Sequence, residues 1–301
     1  MLLQHQEVQK PATAQVFRWA AMLNVGYVLI EVLFGFWVGS LALLADAAHN
    51  LTDVAGLLLA WGAAIVGARR PTWLHTYGFG RATILAALAN AVALLIGVGA
   101  LAREAVLRIE TPEPVAAETV LWIAAIGIAV KGAAALFFVK GRSHDINIGG
   151  AFLHMVSDAA VSAGVVASAL VIVCTGWTVA DPIAALLVSL VIAWSSFRLF
   201  RSAIRLSLDG VPEDIDRSAV ETWLRALPGV ADLHDLHIWA LSTTFTALTV
   251  HLVMPDGNPN DAFLDQTARE LEKRFGIEHT TLQVERGRET ECGLADPERP
   301  R

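Results

Sequence analysis

Charged residues are scarce in this sequence. Lys, Arg, Asp and Glu make up 17% of its 301 residues, whereas hydrophobic residues make up 55%. A soluble globular protein has about 25% charged residues, because most of its surface must be polar. The composition therefore argues against an ordinary cytosolic enzyme, a disordered chain or a nucleic-acid binder.

Cysteine is nearly absent as well. The two cysteines are Cys174, inside an apolar stretch, and Cys292, near the C-terminus. Two residues in such different surroundings do not form the paired pattern of a disulfide-stapled protein. The sequence therefore indicates no disulfide framework.

The few charges are unevenly distributed. The net charge of −7 divides into +2 for residues 1–206 and −9 for residues 207–301. An apolar, slightly basic body followed by an acidic tail predicts two environments in one chain. We therefore expect a membrane domain over 1–206, a cytoplasmic domain over 207–290 and a disordered end over 291–301.

The body contains six apolar stretches of membrane-spanning length. A helix needs about 20 mostly apolar residues to cross the hydrocarbon core. The stretches that qualify are 17–38, 42–66, 82–102, 118–139, 149–174 and 180–200. The first is too long for a signal peptide and is interpreted as a retained helix.

Basic residues between these stretches predict their orientation. Short cytoplasmic loops carry an excess of Lys and Arg. Such residues lie at the start of the first stretch, in alternate connections, and at or after the end of the sixth stretch: Arg18, Arg69, Arg70, Arg81, Lys140, Arg142, Arg198, Arg201 and Arg205. Arg103 and Arg108 are exceptions, and acidic neighbours offset them. Both termini are therefore predicted to be cytoplasmic.

The tail shows the pattern of a small α+β domain. Apolar spacing predicts helices over 214–226 and 259–275, and alternation predicts strands over 233–241, 246–254 and 278–286. The order αββαβ favours a small antiparallel sheet with both helices on one face. Strand alternation places His251 and Glu285 on the other face.

Two matched pairs of ionisable residues lie inside the predicted spans. His49 and Asp53 occupy the second span, and His154 and Asp158 occupy the fifth. The i, i+4 spacing puts each pair on one helix face. Ionisable groups cost about 2.5–3.5 kcal/mol each within a membrane and generally mark functional sites. The two spans run in opposite directions, which predicts that His49 lies near the level of Asp158 and Asp53 near that of His154. Two imidazoles and two carboxylates that converge there suit tetrahedral Zn²⁺, with Cd²⁺, Co²⁺ and Ni²⁺ left open.

Four motifs together resemble the cation diffusion facilitator family, most closely its zinc-transporting branch. They are Gly39-Ser-Leu-Ala-Leu-Leu-Ala-Asp-Ala-Ala-His49-Asn-Leu-Thr-Asp53, His75-Thr-Tyr-Gly-Phe-Gly-Arg81, Ala151-Phe-Leu-His154-Met-Val-Ser-Asp158 and His234-Asp-Leu-His237-Ile-Trp-Ala-Leu. The resemblance implies six transmembrane helices, a ferredoxin-like cytoplasmic domain, a homodimer and a bacterial inner-membrane location. It also implies exchange of Zn²⁺ for protons by alternating access. His49, Asp53, His154 and Asp158 would form the transport site.

The same resemblance implies further sites. His75 lies in a loop where some relatives bind a second metal, although Trp73, Leu74 and Phe79 beside it are not ligands. Arg81 and Asp209 match an ion pair between membrane domain and tail. His234, His251 and Glu285 match a regulatory zinc site, with His237 nearby and Cys292 within potential reach. Gln283 stands where other members have His, which weakens a two-metal version.

Glu31, Lys131 and Asp46 also lie inside the spans, and neither Glu31 nor Lys131 is assigned a role. Lys131 has three interpretations: an ion pair with an intramembrane aspartate, an ion pair with Glu31, or a side chain that extends to the membrane surface. Glu31 faces the ion path or pairs with another span. Asp46, three residues before His49, either guides the exit of the ion or caps the interior of its helix, and the structural interpretation is favoured.

Rival functions of the same residues are a metallohydrolase, a metal sensor without transport and an exporter of manganese or iron. The His-Glu-x-x-His pattern of a metallohydrolase is absent from the sequence. A sensor does not need matched ligands at mid-membrane depth, and histidine in both pairs disfavours manganese. The chain is therefore predicted to be a transporter, not an enzyme, with Zn²⁺ as substrate and regulatory ligand and no organic cofactor.

Overall fold

The computed structural model describes residues 11–138, 146–255 and 259–287. Its first six elements are long helices. They are α1 (Pro11–Val38), α2 (Leu41–Gly67), α3 (Ala82–Glu110), α4 (Ala117–Phe138), α5 (Ile146–Thr175) and α6 (Ala180–Ser207). Each covers one of the six apolar stretches, of which only residue 139 lies outside the described residues. α3 continues about two turns past the predicted end at residue 102.

Three of these helices contain spans that are long and apolar enough to cross a membrane. Within the described residues these spans are Ala82–Glu110, Asp158–Thr175 and Ala180–Ser207, and Val25–Val38 is a shorter apolar segment. Large apolar side chains such as Trp37, Trp122 and Trp194 are at least 70% exposed on the helices. Such exposure of aromatic surface suits contact with lipid. The count of six spans stays a prediction.

A polar cap sets the boundary between α1 and α2. Gly39 ends α1 in the left-handed conformation, with φ of 68°. The hydroxyl of Ser40 accepts a hydrogen bond from the Leu43 amide at 3.1 Å and donates to Asp181 Oδ1 at 2.5 Å. The other carboxylate oxygen of Asp181 accepts from the Leu41 amide at 2.7 Å. α6 thus supplies a carboxylate that satisfies the first amides of α2.

By their contacts, the residues divide into two units, Met1–Leu57 with Val92–Phe197 and Leu58–Ala91 with Arg198–Arg301. In the first unit, α4 packs along α5 and α1. Tyr27 of α1 and Gly127 of α4 approach so closely that a Cβ at Gly127 would lie 2.0 Å from the tyrosine oxygen. The predicted domain boundaries at residues 206 and 290 stay a prediction.

The second unit contains the tail, whose elements follow the predicted order αββαβ. They are α7 (Arg217–Arg225), β1 (Asp232–Ser242), β2 (Phe245–Val253), α8 (Asp261–Phe275) and β3 (His279–Glu285). Buried side chains of both helices and of β1 and β2 form one core, including Val220, Leu224, Leu248 and Leu271, and the partly buried Leu282 and Val284 of β3 pack against it. α7 contacts β1, and α8 contacts β3.

The predicted all-antiparallel sheet is wrong for β3. The strand order is β1-β2-β3, with β1 antiparallel and β3 parallel to β2. The connection from β2 to β3 runs through α8. A helical crossover returns the chain to the same end of the sheet and thereby produces a parallel pair.

The helices of the tail have side-chain caps. α7 starts at residue 217 instead of the predicted 214, because the Asp216 carboxylate accepts hydrogen bonds from the amides of Ser218 and Ala219. Asn260 caps α8 in the same way, by accepting from the Phe263 amide. Gly276 ends α8 in the left-handed conformation, at the predicted residue.

Candidate metal sites

The predicted intramembrane site lies between α2 and α5. His49 Nε2 is 3.3 Å from Asp158 Oδ1, and the two side chains are 18% and 1% exposed. The two residues come from helices 109 positions apart in sequence. An imidazole nitrogen and a carboxylate oxygen at this separation have the donor types that Zn²⁺ prefers.

Asp53 and His154 are the other two predicted ligands. Asp53 lies on α2, four residues after His49, and His154 lies on α5, four residues before Asp158. The side chains of both lie outside the described residues. Their helical positions keep each of them one turn from its described partner.

A second polar cluster, which the sequence analysis did not identify, joins α2, α4 and α5. The Lys131 ammonium donates hydrogen bonds to Asp46 Oδ1 at 2.8 Å and Ser162 Oγ at 2.6 Å, and lies 3.4 Å from the Asp158 carbonyl oxygen. Ser162 in turn donates to Asp46 Oδ2 at 2.5 Å. The side chains of Lys131 and Asp46 are 0% exposed. We call Lys131, Asp46 and Ser162 the brace.

The brace decides between the interpretations of Lys131. Lys131 pairs with an aspartate, Asp46, and neither pairs with Glu31 nor extends to the surface. Glu31 Oε2 instead accepts a hydrogen bond from Asn50 Nδ2 at 2.8 Å, and Asn50 also donates to Asp46 at 3.2 Å. Asp46 is therefore the acceptor that joins three helices. Its place in the sequence, one turn before His49, gave no sign of this partner.

The tail holds a histidine and carboxylate cluster on the sheet face away from the core. His251 Nδ1 is 2.8 Å from Glu285 Oε1, and His234 Nε2 is 3.5 Å from Glu285 Oε2. His234 and His251 are paired across β1 and β2, with ring centroids 5.0 Å apart. One potential ligand atom from each of the three residues lies within 4.8 Å of the others. We call these three residues the tail cluster.

The donors of the tail cluster fit a metal ion. His234 Nε2 is buried and has no hydrogen-bond partner among the described residues. A buried polar nitrogen without a hydrogen bond is costly in free energy, and ligation of a metal by the neutral imidazole would satisfy it. Two nitrogens and one carboxylate leave a fourth tetrahedral position for water or a further ligand.

Asp235 belongs beside the tail cluster, although sequence reasoning missed it. A bulge between His234 and His237 places Asp235 in the left-handed conformation, with φ of 53°. Its carboxylate lies 2.8 Å from His237 Nε2 and 3.9 Å from His251 Nε2. Aspartate tolerates this conformation better than most residues, but alternation alone does not predict a bulge.

Gln283 and Cys292 are the other two residues that the sequence analysis considered beside this site. Gln283 donates from Nε2 to Glu285 Oε1 at 3.3 Å, so it contacts the tail cluster through an amide nitrogen, which is not a metal ligand. Cys292 lies outside the described residues.

Arg81 and Asp209 form an ion pair in the second unit. The guanidinium of Arg81, just before α3, donates to Asp209 Oδ1, just after α6. Both side chains are about half exposed. Asp209 is in the left-handed conformation, with φ of 57°, which turns the chain after α6.

His75 lies in the loop between α2 and α3. Its backbone amide donates to Thr72 Oγ1 at 3.1 Å, and its ring lies 4.7 Å from the ring of Phe79. Within the described part of the chain, the tail cluster is the only group of three or more His, Cys, Asp or Glu residues close enough to share a metal. His75 is not part of it.

Comparison with known proteins shows the family. Residues 18–206 match the cation efflux transmembrane domain, and residues 212–287 match the cytoplasmic domain of cation efflux proteins. The chain therefore belongs to the cation efflux family, the cation diffusion facilitators, and to its zinc-transporting branch. The predicted fold class, a multi-pass helical membrane protein with a C-terminal α+β domain, is confirmed, and the protein is a transporter and not an enzyme.

Similar proteins span nearly the same length. The chain is 38% identical to the zinc transporter ZitB of Shigella flexneri, over 89% of this chain and 86% of the relative. It is 33% identical to the cadmium, cobalt and zinc/H(+)-K(+) antiporter of Bacillus subtilis, over 91% and 89%. The metal-bound C-terminal domain of the CzcD transporter from Cupriavidus metallidurans aligns at 42% identity and a TM-score of 0.23. That alignment covers 24% of this chain and 99% of the domain.

Proposed function

We propose that this protein exports divalent transition-metal cations, chiefly Zn²⁺, from the cytoplasm in exchange for protons. Cd²⁺, Co²⁺ and Ni²⁺ are the further substrates that the same donors accept. The observation that carries the proposal is the 3.3 Å approach of His49 Nε2 to Asp158 Oδ1 between two membrane helices. Asp53 and His154 complete a tetrahedral site in this proposal.

Proton exchange follows from the chemistry of these donors. A metal ion binds neutral imidazole and ionised carboxylate, so metal loading releases any protons that the ligands held. Protonation of the same ligands opposes metal binding. An ordinary imidazole titrates near pH 6.5, within the range that a membrane pH gradient covers. Alternating access then couples metal exit to proton entry.

The tail acts as a metal-responsive dimerisation domain in this proposal. His234, His251 and Glu285 would hold the regulatory Zn²⁺, which supplies a positive charge that draws carboxylates together. Residues 207–301 carry a net charge of −9, so bound cations reduce repulsion between two tails. The ion pair between Arg81 and Asp209 links the loop before α3 to the start of the tail. The protein is proposed to be a homodimer in a bacterial inner membrane, with both termini cytoplasmic.

A flux assay in proteoliposomes tests the proposal. The full chain is reconstituted with a pH-sensitive dye inside, and a Zn²⁺ gradient is imposed. We expect zinc movement with proton movement in the opposite direction, and loss of both on His49→Ala. Zinc binding without flux would favour a sensor. Manganese flux in place of zinc flux would favour the exporter of manganese or iron.

A further inference from the structure

Lys131 is a fully buried cation that the proposed transport mechanism does not use. It lies on α4, which carries none of the four proposed metal ligands. Its ammonium contacts Asp46 of α2 at 2.8 Å and Ser162 of α5 at 2.6 Å. It also lies 5.7 Å from the centre of the Tyr27 ring of α1, a distance that allows a cation–π contact. Lys131 therefore contacts all three neighbouring helices.

The brace touches both ligand helices within about one turn of the ligands. Asp46 precedes His49 by three residues on α2, and Ser162 follows Asp158 by four residues on α5. Residues three or four apart share a helix face, so each ligand stands beside a brace residue. The ammonium also reaches the backbone oxygen of Asp158 itself, at 3.4 Å.

We propose that Lys131, Asp46 and Ser162 are positioning residues of the transport site, which hold α2 and α5 at the separation where His49 meets Asp158. This inference rests on the proposed function, because it concerns the same site. The brace does not bind the metal. It holds α2 and α5 together, so that the two helices and their ligands move as one rigid body.

The geometry of the brace makes it sensitive to helix displacement. Each of its three side chains bonds to the other two, and none has an alternative partner in water. Sliding α2 past α5 would leave a buried charge without its hydrogen bonds, which is strongly unfavourable. Zinc sites require ligand distances within about 0.2 Å of their preferred values, so a small displacement weakens binding.

A simpler role for Lys131 is neutralisation of Asp46 alone. The two roles differ in what happens when both charges are removed. If Lys131 only neutralises Asp46, the double variant Lys131→Met/Asp46→Asn should bind metal normally. If the brace positions the ligands, this variant should bind metal poorly, because Met makes no hydrogen bond to Ser162 or to the Asp158 carbonyl.

The test compares zinc flux of the full chain in proteoliposomes across four variants. Lys131→Met/Asp46→Asn removes the ion pair without leaving a buried charge, and Ser162→Ala removes the serine while the ion pair stays. Ser168→Ala is the matched control, because among the described residues its hydroxyl bonds only to the Val165 carbonyl of the same helix. His49→Ala reports on the proposed site itself.

We expect the double variant and Ser162→Ala to raise the apparent KM for zinc about tenfold, with maximal rates within about twofold of wild type. Ser168→Ala should leave KM unchanged. Poor folding lowers the number of active molecules, hence the maximal rate, but does not raise KM. If the double variant does not fold, Ser162→Ala decides alone.

Visible absorption of bound Co²⁺ gives a second readout of site geometry. In a chain with His251→Ala and Glu285→Ala, which removes the tail cluster, the brace variants should lose tetrahedral absorption intensity. Wild-type KM and spectrum in Ser162→Ala and in a folded double variant would overturn the brace. Undiminished flux in His49→Ala would instead overturn the proposed function, so the two failures are distinguishable.

Discussion

The polar groups of the membrane helices and those of the tail are satisfied in different ways. In the brace, Lys131 and Asp46 are 0% exposed and are bonded to each other and to Ser162. In the tail cluster, His234 and Glu285 are about one-fifth exposed, and a buried nitrogen of His234 has no hydrogen-bond partner among the described residues. The first cluster is complete without a ligand, and the second is not.

This difference indicates that the brace suits the positioning of helices, whereas the tail cluster suits the binding of a metal ion. A buried network with every charge paired resists displacement and has no vacant donor position for a metal. A cluster with convergent donors and partial exposure can exchange an ion with water. The contact between His49 and Asp158 combines both properties, because Asp158 is buried while His49 is 18% exposed.

The largest effect is expected at the contact between His49 and Asp158. His49→Ala should reduce zinc flux by about 100-fold or more, because an ordered zinc site loses one of its four ligands. His75→Ala is the matched control, since His75 is an exposed loop residue that does not belong to the tail cluster. Both variants are measured in proteoliposomes. Equal loss of flux in the two variants would show that His49 has no special role.

The next largest effect is expected on stability, and it tests whether Lys131 and Asp46 of the brace neutralise each other. Lys131→Met should lower the free energy of unfolding by about 3–5 kcal/mol, because it leaves Asp46 buried without its counter-charge. Lys131→Met/Asp46→Asn should recover most of that loss, since no buried charge remains. Thermal midpoints in detergent measure both. A single variant as stable as wild type would contradict the description of Asp46 and Lys131 as a tight pair.

A smaller effect on transport is expected from the tail cluster. His251→Ala should reduce the number of zinc ions bound per chain by one and retain zinc flux, because the transport ligands are untouched. His279→Ala is the control, since this exposed histidine of β3 contacts the Tyr77 ring instead of the tail cluster. Equilibrium dialysis counts the bound zinc. Complete loss of flux in His251→Ala would remove the distinction between the two regions.

The smallest effect concerns the cap of α7. Hydrogen bonds from the Ser218 hydroxyl and from the amides of Ala219 and Ser218 lower the pKa of the Asp216 carboxyl. The carboxylate therefore stabilises the folded tail above the ordinary aspartate pKa of about 3.9, and this stabilisation is lost as the pH falls through the lowered pKa.

Hydrogen exchange measures this effect at the α7 amides of the full chain. The wild type should lose protection relative to Asp216→Asn as the pH falls below about 4, because an asparagine cap does not titrate. The comparison is made at each pH, so the intrinsic exchange rate cancels. An unchanged ratio between the two proteins at all pH values would show that the cap does not contribute.

The periodicity of helices and strands correctly predicted which functional side chains lie together. Helical spacing and the opposite directions of two spans predicted that His49 and Asp158 share a level, and these side chains meet. Strand alternation predicted a common face for His251 and Glu285, which lie 2.8 Å apart. In both cases the backbone geometry determines where a side chain can be.

Contacts that depend on tertiary packing were not predictable in this way. Lys131 has a long side chain with several acidic groups within potential reach, so its partner depends on how three helices pack. The bulge at Asp235 interrupts the alternation that strand prediction uses. The αββαβ order favours an antiparallel sheet only if the helix between β2 and β3 is ignored, because a helical crossover makes β3 parallel to β2.

Zinc K-edge X-ray absorption of the zinc-loaded full chain measures which atoms bind the metal at the transport site. The chain carries His234→Ala, His251→Ala and Glu285→Ala, so that only the transport site binds zinc. The account predicts four nitrogen and oxygen ligands at about 2.0–2.2 Å, two of them imidazoles, with the imidazole signal reduced by His49→Ala. A six-coordinate, all-oxygen shell that His49→Ala leaves unchanged would contradict it.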